Sequence, residues 1–187
     1  MSNYKYFNFK KCQGGDYSLV VIRKKDIYKI MDWRNSQIDV LRQKELLTTG
    51  SQLKYFNKVV KPSFSKVNPK QILFSYLYKD ECIGYGGFVH ISWKEKIAEV
   101  SFLVDNKHSN NEALYKRDFT NYLKLLKMIA FENLKFHKIF TETYSFRKSH
   151  ISILEKIGFK LVRAIKNNAL IEGEYFNSLI HEMVSDK

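Results

Sequence analysis

The stretch that most restricts what this chain can fold into begins at Ile97 and ends at Tyr144. It reads IAEVSFLVD, then the polar NKHSNNEALYKR, then DFTNYLKLLKMIAFENL and, a few residues later, KIFTETY. The first and last of these runs have the β-branched, alternating character of strands. Between them, Phe119, Tyr122, Leu123, Leu126, Ile129 and Ala130 fall on one face of a helix that begins near Asp118. Two strands linked through a helix are parallel neighbours, because the crossover returns the chain to the end of the sheet from which it started. A helix start after a polar loop also presents free backbone N–H groups, to which an anion can bind.

The runs upstream have a different character. ILFSYLYK, from Ile72 to Lys79, turns at Asp80-Glu81 into CIGYGGFVHISW, which turns at Lys94-Glu95-Lys96 into IAEVSFLV. Short charged turns between apolar runs predict an antiparallel meander. Gly84, Gly86 and Gly87 within the middle run signal a bulge or a close approach of backbone. Before the meander, SLVVIR (Ser18 to Arg23) is a first strand, and Asp26 opens a short helix carrying Ile27, Ile30, Met31 and Arg34. Asn35 to Thr48 is polar and irregular. Thr49-Gly50-Ser51-Gln52 has the spacing of a capping box leading into a helix through Leu53, Phe56, Val59 and Val60.

After Tyr144, Ser149 is placed to cap a helix ending at Gly158, and two last strands near Lys160 to Ile165 and Ser178 to Val184 meet around Glu172-Gly173-Glu174. The sum is an α+β fold with a mixed, mostly antiparallel sheet of about seven strands and helices on both faces.

Composition bounds the rest. A chain of 187 residues, 44% hydrophobic, with only Pro62 and Pro69 as prolines and no repeat or linker, reads as a single domain over 1–187. The net charge of +13 attracts polyanions: nucleic acid, anionic lipid or a phosphate-rich small molecule. The lysines are spread along the chain rather than run together, and no nucleic-acid recognition motif is present, so no specific nucleic-acid partner is expected. Cys12 and Cys82 stand alone, without metal-ligand spacing, which predicts no metal and a reduced, cytoplasmic setting. The first residues lack the apolar run of a signal peptide, and no stretch approaches the roughly 18 apolar residues of a membrane span.

AEVSFLV before the long helix and ILEKIGF in the last one resemble the GNAT superfamily of acetyl-CoA-dependent N-acetyltransferases, over nearly the whole chain. Together, WRNSQIDVLRQ, IGYGGFVHISW, AEVSFLVD and TETYSFRKSHISILEKIGF resemble a subgroup associated with bacterial nucleotide-sugar and surface-polysaccharide biosynthesis. The resemblance implies that the strand from Ile97 parts from that of Lys138 to Tyr144, and that the pantetheine arm of the coenzyme pairs with the amides of Phe102, Leu103 and Val104. The family's pyrophosphate loop, Q/R-x-x-G-x-G/A, falls on Leu114, Arg117 and Phe119, so the leading side chain and both glycines are missing. The coenzyme candidates that remain are Arg117, Asp118, Phe119 and Thr120 at the expected helix start, and Arg147.

Glu99 matches the place where an AEI segment carries the general base in some members; a solvated strand glutamate paired with a lysine is the ordinary alternative. The position of the family's general-acid tyrosine holds Leu154, and Tyr144 and His150 are substitutes by location only. The acceptor side is assigned to Trp33, Arg34, Asn35, Arg42, Gln43, His90, Trp93, Glu142 and His181. Planar guanidinium forks suit a diphosphate, and an aromatic suits a sugar or base face. The activity implied is acetyl transfer from acetyl-CoA to the primary amine of a small anionic substrate, a nucleotide-linked amino sugar. It proceeds by direct attack in a ternary complex, since no cysteine or serine has a nucleophile signature. Acetylation of a protein N-terminus or lysine, and a non-catalytic binding module, are the alternatives. A homodimer is compatible with either.

Overall fold

The computed structural model of the chain describes Tyr4, Lys5, Phe7 and residues 10–185. A hairpin of β1 (Lys11–Gly14) and β2 (Tyr17–Val21) leads through a 3-10 turn into α1 (Ile27–Ser36). The polar segment that follows carries a further 3-10 turn, Ile38–Val40, before α2 (Thr49–Tyr55), a π-helical turn (Phe56–Val60) and the short α3 (Lys61–Ser63). The meander is β3 (Ile72–Tyr78), β4 (Glu81–Ser92) and β5 (Ile97–Val104). Then come α4 (Asn106–Ser109), α5 (Glu112–Met128) and its π-helical extension Ile129–Asn133, β6 (Lys138–Tyr144), α6 (Lys148–Ile157), β7 (Lys160–Ile171) and β8 (Glu174–Val184). The strands form a single sheet in the order β1-β2-β3-β4-β5-β6-β8-β7. All neighbours are antiparallel except β5 and β6, the pair joined through α5.

Helices cover both faces. On one, Arg34 of α1 donates to the Tyr85 hydroxyl of β4, and Ser75 of β3 donates to Asp26 at the start of α1. On the other, Tyr122 of α5 packs against Tyr76 of β3 and Phe102 of β5, and the Tyr76 hydroxyl donates to the Asp118 carbonyl. Phe102 therefore faces α5. Glu99, an odd number of residues away on the same strand, faces α1, because successive strand side chains alternate.

Four local expectations are corrected. The sheet has eight strands, the extra one being β1, where KCQG is too short and polar to announce itself; it pairs Lys11–Gly14 with Tyr17–Val20 and sets the buried Cys12 against Leu125 of α5. The helix expected from Asp118 begins nearly two turns earlier at Glu112, because Asn111 caps it by accepting from the Leu114 N–H and EALYKR continues as helix. The capping box sits one residue earlier, between Thr48 and Ser51. Gln52 is instead buried, donating to the Ile27 carbonyl and tying α2 to α1. Finally, Ser149 does not cap α6, which starts at Lys148; its hydroxyl donates to Glu112 of α5. Gly158 ends α6 as expected, in the left-handed region at φ 107°.

The glycines of β4 mark close approach. A Cβ on Gly86 would lie 2.2 Å from the Ser101 carbonyl oxygen and 2.4 Å from the Tyr122 hydroxyl. The irregularity in the β4–β5 ladder falls later, between Val89 and Ser92, where His90 takes φ 50°. That bulge lifts His90 out of the ladder and re-aims its side chain.

Candidate active site

β5 and β6 pair only over Ile97–Glu99, and beyond that point they separate. The Asp105 N–H donates to the Ile83 carbonyl of β4, so by alternation along β5 the Leu103 amide also faces β4, while those of Phe102 and Val104 face the gap. The Val104 carbonyl there accepts from Gln37, at the end of α1. Of the three amides expected to meet a pantetheine arm, Leu103 is thus committed to the ladder, and Phe102 is the one whose N–H and C=O lie against the opening. Across the gap on β6, the buried Thr143 hydroxyl has no hydrogen-bond partner. An extended chain bearing amide groups fits between these two, since it would satisfy both sets of polar atoms.

The gap opens into a cleft of about 720 Å³ that passes from the α1 face of the sheet to the α5–α6 face. On the α1 face its polar centre is Glu99, only 7% exposed. Glu99 Oε2 meets His90 Nδ1 at 2.7 Å, and Oε1 accepts from the Arg42 guanidinium, which also lies 3.5 Å from Glu142. Arg42 is drawn from the loop after α1, and His90 from the β4 bulge. Arg34 donates to Tyr85 (2.5 Å) and to Gln43 (2.9 Å), and Gln43 in turn donates to Asn35. Asn35 receives the Leu47 N–H and donates to its carbonyl, so it fixes the loop carrying Arg42 rather than lining the cleft.

On the other face the cleft is lined by Phe102, Phe119, Arg147 and His150, while Tyr144, two residues on from Glu142 along β6, shares the α1 face with it. His150 Nδ1 lies 2.6 Å from the Tyr115 hydroxyl, which also receives Arg147 Nη2–H at 3.0 Å. Burial, with the charge of Arg147 next, pushes the His150 pKa well below the usual range.

Several candidates lie elsewhere. Arg117 and Asp118 fall in the second turn of α5, away from its free amides. Asp118 is fully buried, bound by the Tyr17 hydroxyl, His108 and Arg117. Phe119 is a core residue with one edge in the cleft, and Thr120 is half-buried on α5 outside it. Trp33 packs on the core, and Trp93 donates its indole N–H to the Pro69 carbonyl while packing on Phe136. His181 is fully buried, with Glu155 3.7 Å from its Nε2.

Sequence reasoning missed Tyr85, Lys70, Thr143 and Tyr115. Tyr85 was masked by its glycine neighbours, and Tyr115 by the polar run read as a loop. Nothing in the sequence distinguishes the unpartnered hydroxyl of Thr143 from that of Thr141. Among the described residues no group of three or more histidine, cysteine or acidic side chains could hold a metal, and no helix is long and apolar enough to cross a membrane.

Comparison with known proteins bears on the family and the fold. A family model described as Acetyltransferase (GNAT) domain matches residues 19–180. A search of curated proteins returns no match. Among solved structures, the chain is similar to spermidine N-acetyltransferase from Vibrio cholerae in complex with CoA and spermine, at TM-score 0.78 and 15% identity, covering 93% of this chain and 98% of that one. It is also similar to a probable GNAT acetyltransferase from Chromobacterium violaceum, at TM-score 0.73 and 13% identity, covering 94% and 91%. At these identities the likeness concerns the fold.

Proposed function

The chain belongs to the acetyltransferase (GNAT) family, and we propose on that premise that it transfers an acetyl group from acetyl-CoA to the primary amine of a small anionic acceptor, with a nucleotide-linked amino sugar as the candidate. The reading rests above all on the Glu99–His90–Arg42 cluster at the mouth of the β5–β6 gap. Bound acetyl-CoA supplies the activated thioester. Phe102 and Thr143 offer its pantetheine arm hydrogen-bonding groups, and Arg147 offers its phosphates a positive charge. The glycine loop of the family has no counterpart, since Leu114 is inside α5 and its amide is already capped by Asn111.

An amine attacks only as the neutral base, so a group in the cleft must take its proton. Glu99 is that group: its carboxylate lies at the end of the gap, held from one side by Arg42 and from the other by His90. His90, exposed on its outer edge, is placed to carry the proton on to solvent.

The acceptor's character is argued from charge. Both cleft carboxylates, Glu99 and Glu142, are already within reach of Arg42. Arg34 and Lys70 line the same cleft and make no ion pair with any described residue. A phosphate-bearing amine would gain from these cations. A polyamine, the kind of molecule in the Vibrio cholerae complex, would add positive charge where the acids are already engaged; the fold likeness keeps it as the second reading.

A panel of nucleotide amino sugars, spermidine and basic peptides, scored by free-thiol release, separates them. A nucleotide amino sugar is expected to exceed spermidine in kcat/KM by about tenfold or more, equivalent to about 1.4 kcal/mol. A faster reaction with spermidine would reverse the assignment. Glu99→Gln is expected to lower kcat by about 10² to 10⁴, with acetyl-CoA affinity nearly unchanged.

A further inference from the structure

Amine attack on the thioester forms a C–N bond and breaks the C–S bond. The amine's proton goes to Glu99, on the α1 face of the sheet, and the sulfur departs as a thiolate that needs a proton of its own. Leu154 stands where a relative would carry a tyrosine for this step. On the α5–α6 face, however, the cleft wall carries a polar triad built from two helices.

The triad admits an arrangement of hydrogens that serves this step. Arg147 can only donate, so its Nη2–H occupies a lone pair of the Tyr115 hydroxyl, 3.0 Å away. The hydroxyl hydrogen of Tyr115 is then free to point at His150 Nδ1, at 2.6 Å. With Nδ1 accepting, the single hydrogen of a neutral imidazole is on Nε2. Burial and the nearby Arg147 charge favour that neutral form. Phe119 stacks on the imidazole, with centroids 4.2 Å apart and planes at 17°, and so sets the ring's plane. His150 lines the cleft, with Tyr115 behind it.

We propose that His150 is the proton donor to the departing sulfur and that Tyr115, through Nδ1, positions it and replaces the proton it gives up. The Nε2 hydrogen passes to sulfur, giving the free thiol, and the Tyr115 hydroxyl proton passes to Nδ1, so that the imidazole stays neutral. Burial raises the Tyr115 pKa and the Arg147 guanidinium opposes that rise, so the phenolate is short-lived and lies against Arg147 until solvent returns a proton. Tyr115 is available because α5 begins at Glu112 rather than after a glycine loop. This assignment rests on the acetyl-transfer reading above.

Three measurements test it. Nitrogen-15 NMR of the histidine rings, in the protein without substrates, should show His150 neutral with hydrogen on Nε2 from pH 8 to pH 5.5, and Tyr115→Phe should abolish that tautomer preference. A hydrogen on Nδ1, or an imidazolium at pH 7, overturns the proposal without touching the family reading. With acetyl-CoA, His150→Gln should lower kcat by about 10²-fold and the nearly isosteric Tyr115→Phe by about tenfold, with KM little changed. Wild-type turnover in both would sink it.

Finally, an acetyl thioester of an aromatic thiol of low pKa needs no proton at sulfur. With that donor the His150→Gln deficit should shrink and the Glu99→Gln deficit should remain. If both deficits persist equally, His150 is not the acid. If the wild-type protein acetylates no amine, the underlying reading falls as well, whatever tautomer is found.

Discussion

His90 with Glu99 and His108 with Asp118 are two copies of one chemical motif, an imidazole Nδ1 against a carboxylate, on opposite faces of the same sheet. The first opens to solvent: the His90 side chain is 68% exposed, and its carboxylate lies at the end of the β5–β6 gap. The second is sealed. Asp118 is fully buried and also takes hydrogen bonds from the Tyr17 hydroxyl (2.6 Å) and Arg117 Nε (3.1 Å), while its carbonyl accepts from Tyr76. Asp118 thereby ties α4 to α5 and α5 to β2 and β3, and no cleft reaches it. On the function proposed for the cleft, the same pair is a reactive device where a substrate can arrive, and it is a rivet where none can. The surroundings decide, since a buried carboxylate must satisfy every lone pair locally, whereas an exposed one can exchange partners.

Breaking the sealed pair should cost the most stability. Asp118→Ala leaves Tyr17, His108 and Arg117 without their acceptor, and about 3 to 5 kcal/mol is expected to be lost. For a chain of this length that lowers Tm by on the order of 10 °C, measurable by calorimetry. An unchanged Tm would show that the network is dispensable.

Next comes pH, through the two largely buried histidines His150 and His181. Both are held below the usual range, by burial first in each case. The folded chain declines protons that the unfolded chain takes up below about pH 6.5. Stability is therefore fully present above that value and falls as the pH drops, by up to about 1.4 kcal/mol per pH unit for each histidine. Glu155 opposes the shift at His181, so His150 should contribute the larger share. Urea melts at pH 7 and pH 5.5 should show the fall, and His150→Gln should reduce it.

Smaller effects belong to the open pair. His90→Gln should lower kcat about tenfold, or about 1.4 kcal/mol, and leave Tm in place. Glu99→Gln, so damaging to turnover, should shift stability by less than about 1 kcal/mol, because Arg42 is half exposed and keeps Glu142 nearby. A loss of several kcal/mol would make Glu99 a rivet like Asp118.

Much of the fold was legible. Period-two runs separated by charged turns announced the meander, and the apolar stripe of α5 announced the crossover that makes β5 and β6 parallel. What escaped were features concealed in short polar runs. KCQG became β1 by pairing with β2 and resting on α5, and NNEALYKR, polar enough to pass for a loop, became helix through its Asn111 cap.

The site followed the same division. The family resemblance nominated Glu99, and residue chemistry nominated His90, Arg34, Arg42 and Glu142; all five line one cleft. Residue chemistry also nominated Trp33, Trp93 and His181, and these are packed away, because a sequence gives residue type and not which side of the sheet receives it. Sequence alone set the meander, the crossover helix, the alternation along β5 and hence that Glu99 and Phe102 face opposite ways. Tertiary structure alone decided where β5 leaves β6, which of two histidine–carboxylate pairs meets solvent, and that Tyr115 stands behind His150. Those outcomes depend on contacts between residues far apart in the chain, which no local periodicity encodes.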